Sequence, residues 1–208
     1  MPGREVTSAT LAEPGALARA VAGRATGLVY PMFMAGGWFT RVQVPARLAE
    51  AGVTAGAGGW QVLEPFGCDP AVHDLCVTLA QETGALELVL AAHGSGRSSV
   101  PSDIAGHVAR RIAVEAGVRR VAVGFIDQRP QLSSLTGFGT GAVCLPFFAA
   151  KGGHVTDDLP QALAQAGFQG RILPAVGLDE RVPGIVAAAI ARGKTVCAER
   201  CLWATDRA

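Results

Sequence analysis

Charge is scarce in this 208-residue chain and nearly balanced, with 18 Lys and Arg against 17 Asp and Glu for a formal net charge of +1. A nucleic-acid binder normally carries a basic face or stripe, so that class is excluded, while small anionic ligands are not. Long apolar runs are missing too. The longest, LELVLAA at 86–92 and GAVCLPFFAA at 141–150, are too short to span a bilayer and are broken by Glu or Pro. The N-terminal MPGREVTSATL lacks the apolar core of a secretory signal. Cysteines fall at 68, 76, 144, 197 and 201. Their odd number and apolar or helical contexts fit reduced thiols better than a disulfide framework. These absences predict a cytoplasmic chain with neither a membrane nor a nucleic-acid partner.

What is present is apolar substance: 50% of the residues, enough to bury one sizeable core or two small ones. Short β-branched runs at 86–93, 121–127, 141–148 and 170–177 alternate with Ala-rich helical patterns at 101–117, 157–167 and 181–193 and with QLSSL at 131–135. The strand runs are continuously apolar, which predicts a parallel sheet covered by helices on both faces. The pattern is α/β.

The chain also repeats itself. PMFMAGGWFTRVQVP at 31–45 and PFFAAKGGHVTDDLP at 146–160 place their prolines at equal spacing, and the alignment runs without a gap to LAEAG at 48–52 and LAQAG at 163–167. Beyond a short insertion around Gly56–Gly59, VLEPFGCDPAVHDLC resembles ILPAVGLDERVPGIV. Residues 4–84 thus read as a copy of 119–193. The segment 85–118 has no earlier partner, so the first half lacks a first strand and its helix. An interior strand left out exposes unpaired backbone. Two expectations follow: a start, at Met1-Pro2-Gly3, placed too late, or a C-terminal tail, KTVCAERCLW at 194–203, supplying one extra strand.

Four histidines can be weighed singly. His93 ends an apolar strand before the small-residue loop GSGRSSVPSD, and such loops at the carboxyl ends of parallel strands form ligand crevices. His154 follows the 141–148 strand and emerges at the same edge, so two imidazoles face one crevice. His107 reads as a helix-flank residue. His73 lies between Cys68 and Cys76, but a fourth zinc ligand is wanting. GFGTG at 137–141 precedes a strand instead of following one and no Walker lysine is present, which speaks against a nucleotide. Asp157 and Asp158, before Pro160, are expected to cap a helix, with orientation of the His154 ring as the other reading.

LVLAAHGSGRSS, VAVGFIDQRPQL and LPFFAAKGGHVTDDLP together resemble the sirohydrochlorin chelatase family, the CbiX/SirB type of class II chelatases. The resemblance covers 86–193 and, more weakly, the first repeat. It implies a chelatase-like α/β fold of two similar parallel-sheet halves, 1–84 degenerate and incomplete and 85–208 carrying the histidines. It further implies a lyase that inserts a divalent metal, Co²⁺, Fe²⁺ or Ni²⁺, into a sirohydrochlorin-like tetrapyrrole without ATP, on the way to cobalamin or siroheme. Under it His93 and His154 hold the metal and accept protons, as imidazole chemistry allows. Gly94, Ser95 and Arg97 would anchor substrate carboxylates, with Lys151 and Arg41 as weaker candidates. Phe39 occupies the His154 position of the first half, preceded by Trp38, and the two would stack on the macrocycle or pack in the core. The alternatives are a non-catalytic tetrapyrrole or metal carrier, or an inactive truncated homologue. A missing strand also leaves room for a homodimer.

Overall fold

The computed structural model describes residues 5–197 and 202–203. Met1-Pro2-Gly3, the site of the start expectation, and Cys201 lie outside the described residues. In chain order the elements are α1 (Ala16–Val21), β1 (Gly27–Val29), α2 (Val44–Glu50), β2 (Trp60–Val62), α3 (Pro70–Thr83), β3 (Glu87–Ala92), α4 (Val100–Glu115), β4 (Arg120–Phe125), β5 (Val143–Pro146), α5 (Leu159–Gln165), β6 (Arg171–Ile172) and α6 (Val182–Arg192). QLSSL forms only a 3-10 turn, at Leu132–Ser134.

The strands build two parallel sheets, one of β1 and β2 and one of four strands in the order β4-β3-β5-β6. Leu88, Val89, Leu90 and Ala91 of β3 are all fully buried, the outcome expected for a strand covered on both faces. Side chains alternate across the sheet, so Leu88 and Leu90 join the core under α3 and α4, while Val89 and Ala91 join Leu132, Leu159 and Leu163 on the other face. A third, smaller core holds Val21, Val44, Leu48, Trp60 and Val62 of the first half.

The repeat seen in the sequence is a repeat of backbone contacts. Val53 N–H donates to Leu48 O at 3.1 Å, and Phe168 N–H to Leu163 O at 3.0 Å, each beside a left-handed glycine, Gly52 (φ 78°) and Gly167 (φ 69°). Past the insertion the match resumes. Asp69 and Asp179 accept the amides of Ala71 and Arg181 at 3.0 and 2.9 Å, capping turns that lead into α3 and α6. Gly67 and Gly177 press so closely on a neighbouring backbone segment that a Cβ there would lie 2.1 Å from Met34 O and 2.0 Å from Ala149 O.

Most informative are two π-turns, Phe39–Gln43 and His154–Asp158, each running directly into the next helix, α2 or α5. Pro45 and Pro160 sit at the start of those helices. A proline has no N–H and its ring clashes with the carbonyl four residues back in an α-helix. A widened turn is the backbone's relief from that clash. The prolines therefore set the geometry of the residues just before them.

The halves differ at their edges. β5 lies between β3 and β6, whereas its counterpart β1 pairs with β2 alone among the described residues. The C-terminal tail does form an extra strand segment, but on the other side: Glu64 N–H donates to Lys194 O (2.8 Å) and Val196 N–H to Val62 O (3.0 Å), with Leu63 and Thr195 paired antiparallel. The expectation that the tail supplies the missing strand is thus corrected. Leaving α6 directly, and held by the Lys194–Glu64 and Arg192–Asp69 ion pairs, its described part extends the small sheet beyond β2, and among the described residues nothing pairs with the other edge of β1. No described helix is long and apolar enough to cross a membrane.

Candidate metal and macrocycle site

His93 follows the last residue of β3 and His154 opens the π-turn after β5, so adjacent parallel strands deliver both rings to the carboxyl edge of the sheet. Their Nε2 atoms stand 3.1 Å apart, with ring centroids 4.4 Å apart and planes at 84°. The other nitrogens are tied down. His93 Nδ1 lies 2.9 Å from Gly94 O, and His154 Nδ1 lies 2.7 Å from Asp158 Oδ2. A carbonyl and a carboxylate only accept, so each Nδ1 carries the proton and donates. In the neutral rings both Nε2 lone pairs then face each other, an arrangement that a cation between them relieves. At a metal–nitrogen distance of about 2.1 Å, a 3.1 Å separation subtends about 95° at a shared ion.

The carboxylate behind His154 belongs to the arrangement that fixes tautomer and raises basicity in metal-bound imidazoles. Asp158 was expected to cap a helix, and here the expectation is corrected. Its backbone is already helical (φ −68°, ψ −42°) and its side chain makes no cap bond. Because the π-turn runs into α5 without a break, no helix start exists at that point to be capped, and the carboxylate turns back to the imidazole four residues earlier. Asp127, the second residue past β4, approaches His93 Nε2 with Oδ2 at 3.4 Å. Sequence reasoning missed it. The available signal was its place just after the strand neighbouring β3, at the same sheet edge as the histidines.

Gly94 takes φ 78°, and a Cβ there would meet Gln128 Cβ at 2.7 Å, so only glycine allows the loop to bend against the end of β4. The Ser95 amide donates to Gln128 Oε1 at 2.9 Å, and the Ser95 hydroxyl accepts from the Arg97 amide at 3.2 Å. The Ser95 amide is thus taken by the turn after β4 and the Arg97 amide by the loop itself, while the Arg97 side chain is exposed, as is Lys151.

Trp38 and Phe39 are 56% and 53% exposed. They meet edge to face at 5.2 Å, and Phe33 stacks on Phe39 at 5.8 Å. Of the two roles expected for this pair, core packing is set aside by that exposure. Phe39 opens its π-turn as His154 opens the other.

The remaining candidates are structural. His73 is fully buried, with Nε2 2.9 Å from Gly67 O, and burial lowers its pKa to about 4. His107 packs against both it and Trp203, which also meets His73 edge to face, and its pKa too is lowered by burial. Burial pushes the Cys144 thiol up to about 12 and the Cys76 thiol higher still, so neither offers a thiolate at neutral pH. Among the described residues no three His, Cys, Asp or Glu side chains are arranged to enclose an ion. An open two-imidazole site with a carboxylate nearby can grip a metal and release it, unlike the closed four-ligand sites that hold structural ions.

The CbiX family model matches residues 87–192, half of the chain. A solved structure of CbiX, described as the terminal enzyme for biosynthesis of siroheme in denitrifying bacteria, is 45% identical, with a TM-score of 0.78 over 90% of this chain and 83% of its own. Two structures of SirB from Bacillus subtilis, one with Fe³⁺ and one, from subspecies spizizenii, in complex with cobalt, are each 14% identical. They cover 84% and 91% of this chain and 75% and 77% of their own, at TM-scores of 0.62 and 0.61, and share the fold. A search among curated proteins returns no match.

Proposed function

The chain belongs to the CbiX/SirB sirohydrochlorin chelatase family, and on that premise we propose that it inserts cobalt or iron, as the divalent ion, into a sirohydrochlorin-type tetrapyrrole in cobalamin or siroheme biosynthesis. The observation that carries this reading is the pair of Nε2 atoms facing at 3.1 Å with both Nδ1 atoms anchored. Neutral imidazole binds first-row divalent ions firmly yet exchangeably, which suits a metal that is substrate and must leave.

In this proposal the metal is taken between His93 and His154, with Asp127 close enough to His93 to balance charge. The macrocycle closes over the exposed pair. Its two pyrrolic nitrogens replace the imidazoles on the metal and release two protons, so the dication is exchanged for two protons and no nucleotide is consumed. Each imidazole freed of metal presents an Nε2 lone pair that can accept one of them. Trp38 and Phe39, solvent-facing on the first half, offer flat apolar surface to the ring, while Gly94, Ser95 and Arg97 border the His93 side. We assign 1–84 the macrocycle-facing role and 85–208 the metal-holding one. Reduced buried thiols are consistent with a cytoplasmic setting.

The test mixes purified protein, Co²⁺ or Fe²⁺ and sirohydrochlorin under anaerobic conditions and follows the absorption change. The double variant His93→Ala, His154→Ala should fall to the uncatalysed rate. Full activity in that variant would remove the assigned roles, and tight binding of metal and macrocycle by the native protein without rate enhancement would make it a carrier instead.

A further inference from the structure

The two imidazoles are held by different means. His154 Nδ1 donates straight to a carboxylate, Asp158 Oδ2 at 2.7 Å, whereas His93 Nδ1 donates to a main-chain oxygen, Gly94 O at 2.9 Å. The second hold is contested. Asp127 Oδ2 stands 3.4 Å from His93 Nε2, and a carboxylate on that side draws the ring proton to Nε2, where it covers the lone pair a metal needs. The Gly94 carbonyl has to keep the proton on Nδ1 against that pull.

That carbonyl has support. Gly94 O and the Ser95 N–H belong to one peptide unit, which is planar and trans, so its C=O and N–H point in opposite directions. The Ser95 N–H donates to Gln128 Oε1 at 2.9 Å. Aiming the N–H at Gln128 therefore aims the carbonyl at His93, and the hydrogen bond at one end of the amide strengthens the acceptor at the other. An N–H only donates, so the side-chain atom facing it is Oε1 and not Nε2. The stem of the same residue backs the turn, since a Cβ on Gly94 would lie 2.7 Å from Gln128 Cβ. One position earlier, Asp127 N–H donates to His93 O at 2.9 Å. The turn after β4 thus grips the main chain on both sides of the imidazole.

We propose that Gln128 is the positioning residue that sets the His93 tautomer: through the Gly94–Ser95 peptide it keeps the proton on Nδ1 and the Nε2 lone pair bare. The inference rests on the metal-binding role given to His93 above. A neutral amide suits the task, because it polarises the peptide without placing a further carboxylate beside the ring.

Nitrogen NMR of the labelled, metal-free full chain in mildly alkaline buffer reads the tautomer directly, because protonated and bare ring nitrogens resonate far apart. The His93 signals are those lost in His93→Ala. Native His93 should be predominantly Nδ1–H. Gln128→Met and Gln128→Ala both keep the Cβ that packs on Gly94 and both lose Oε1, so each should move most of the His93 population to Nε2–H while the His154 signals stay in place. Gln128→Glu returns an oxygen acceptor and should return the native tautomer, a rescue that a space-filling role does not produce. Co²⁺ affinity measured by titration should fall about tenfold in Gln128→Met, the lower end of the loss seen when a partner behind a ligating imidazole is removed. A native His93 protonated at Nε2, or a native tautomer in both Gln128→Met and Gln128→Ala, would overturn the proposal. Failure of Gln128→Glu to restore Nδ1–H would overturn it as well. The spectra need no metal, so they judge Gln128 separately from the site: Co²⁺ binding that survives His93→Ala unchanged removes the metal-binding reading and leaves the tautomer result standing.

Discussion

Phe39 and His154 sit on the same backbone in the two halves, each opening a π-turn that a proline six positions later makes necessary, yet one is a hydrocarbon ring and the other an imidazole proposed to hold the metal. The comparison separates what builds a site from what gives it chemistry. Prolines, left-handed glycines and capping aspartates recur in both halves and fix the path of the chain. The imidazole pair, Asp127 and Asp158 occur only in the second half. The first half cannot match them with one substitution, because among the described residues no strand lies beside β1 where β3 lies beside β5, and so none of them delivers a second ring there.

Exchanging the residues that differ puts this to the test. His154→Phe should abolish Co²⁺ binding at the pair and insertion with it, whereas Phe39→His should leave insertion at the native level or below, since the new imidazole has no partner; gain of a second Co²⁺ equivalent by titration would contradict that asymmetry. A second contrast lies between α3 and α6, where the repeat sets His73 against the non-ionisable Pro183. His73 titrates near 6.5 when unfolded and near 4 when buried, so the unfolded chain binds the extra proton between those values. Stability contributed by the neutral ring is complete above pH 6.5 and is lost as the pH falls toward 4, by about 3 kcal/mol. His73→Gln, which keeps an N–H for Gly67 O, should flatten urea-denaturation stability across that window.

A smaller effect is expected at Asp158. Asp158→Asn keeps the shape but weakens the grip on His154 Nδ1, and Co²⁺ affinity measured by titration should fall about 10–100-fold. Trp38→Ala is the mildest. Loss of one exposed aromatic surface should weaken tetrapyrrole binding by about 0.5–1.5 kcal/mol, with Co²⁺ affinity unchanged, which would sharpen the proposed division between a ring-facing half and a metal-holding half.

The histidine pair was readable from sequence because a parallel sheet sends every strand end to one edge, and both histidines follow apolar runs. The repeat was readable because its markers are prolines and glycines, whose spacing reflects backbone geometry directly. Asp127 was not, since a carboxylate after a strand is ordinary until a neighbouring ring is known to lie 3.4 Å away. Asp158 misled for a related reason. Its position before Pro160 has the local pattern of a helix cap, and only the continuous π-turn shows that no cap is needed. The tail's partner was equally hidden, because antiparallel pairing of 194–196 with 62–64 depends on where α6 ends in space.

That pairing has a consequence for the order in which the molecule can be made. Lys194 reaches back 130 positions to Glu64, and Trp203 reaches 135 positions to donate to Cys68 O at 2.8 Å. During synthesis the small sheet of the first half must therefore wait, its β2 edge unpaired, until residues 194–203 have emerged. Contacts so distant in sequence form late and slow the final step of folding. The half made first is completed last.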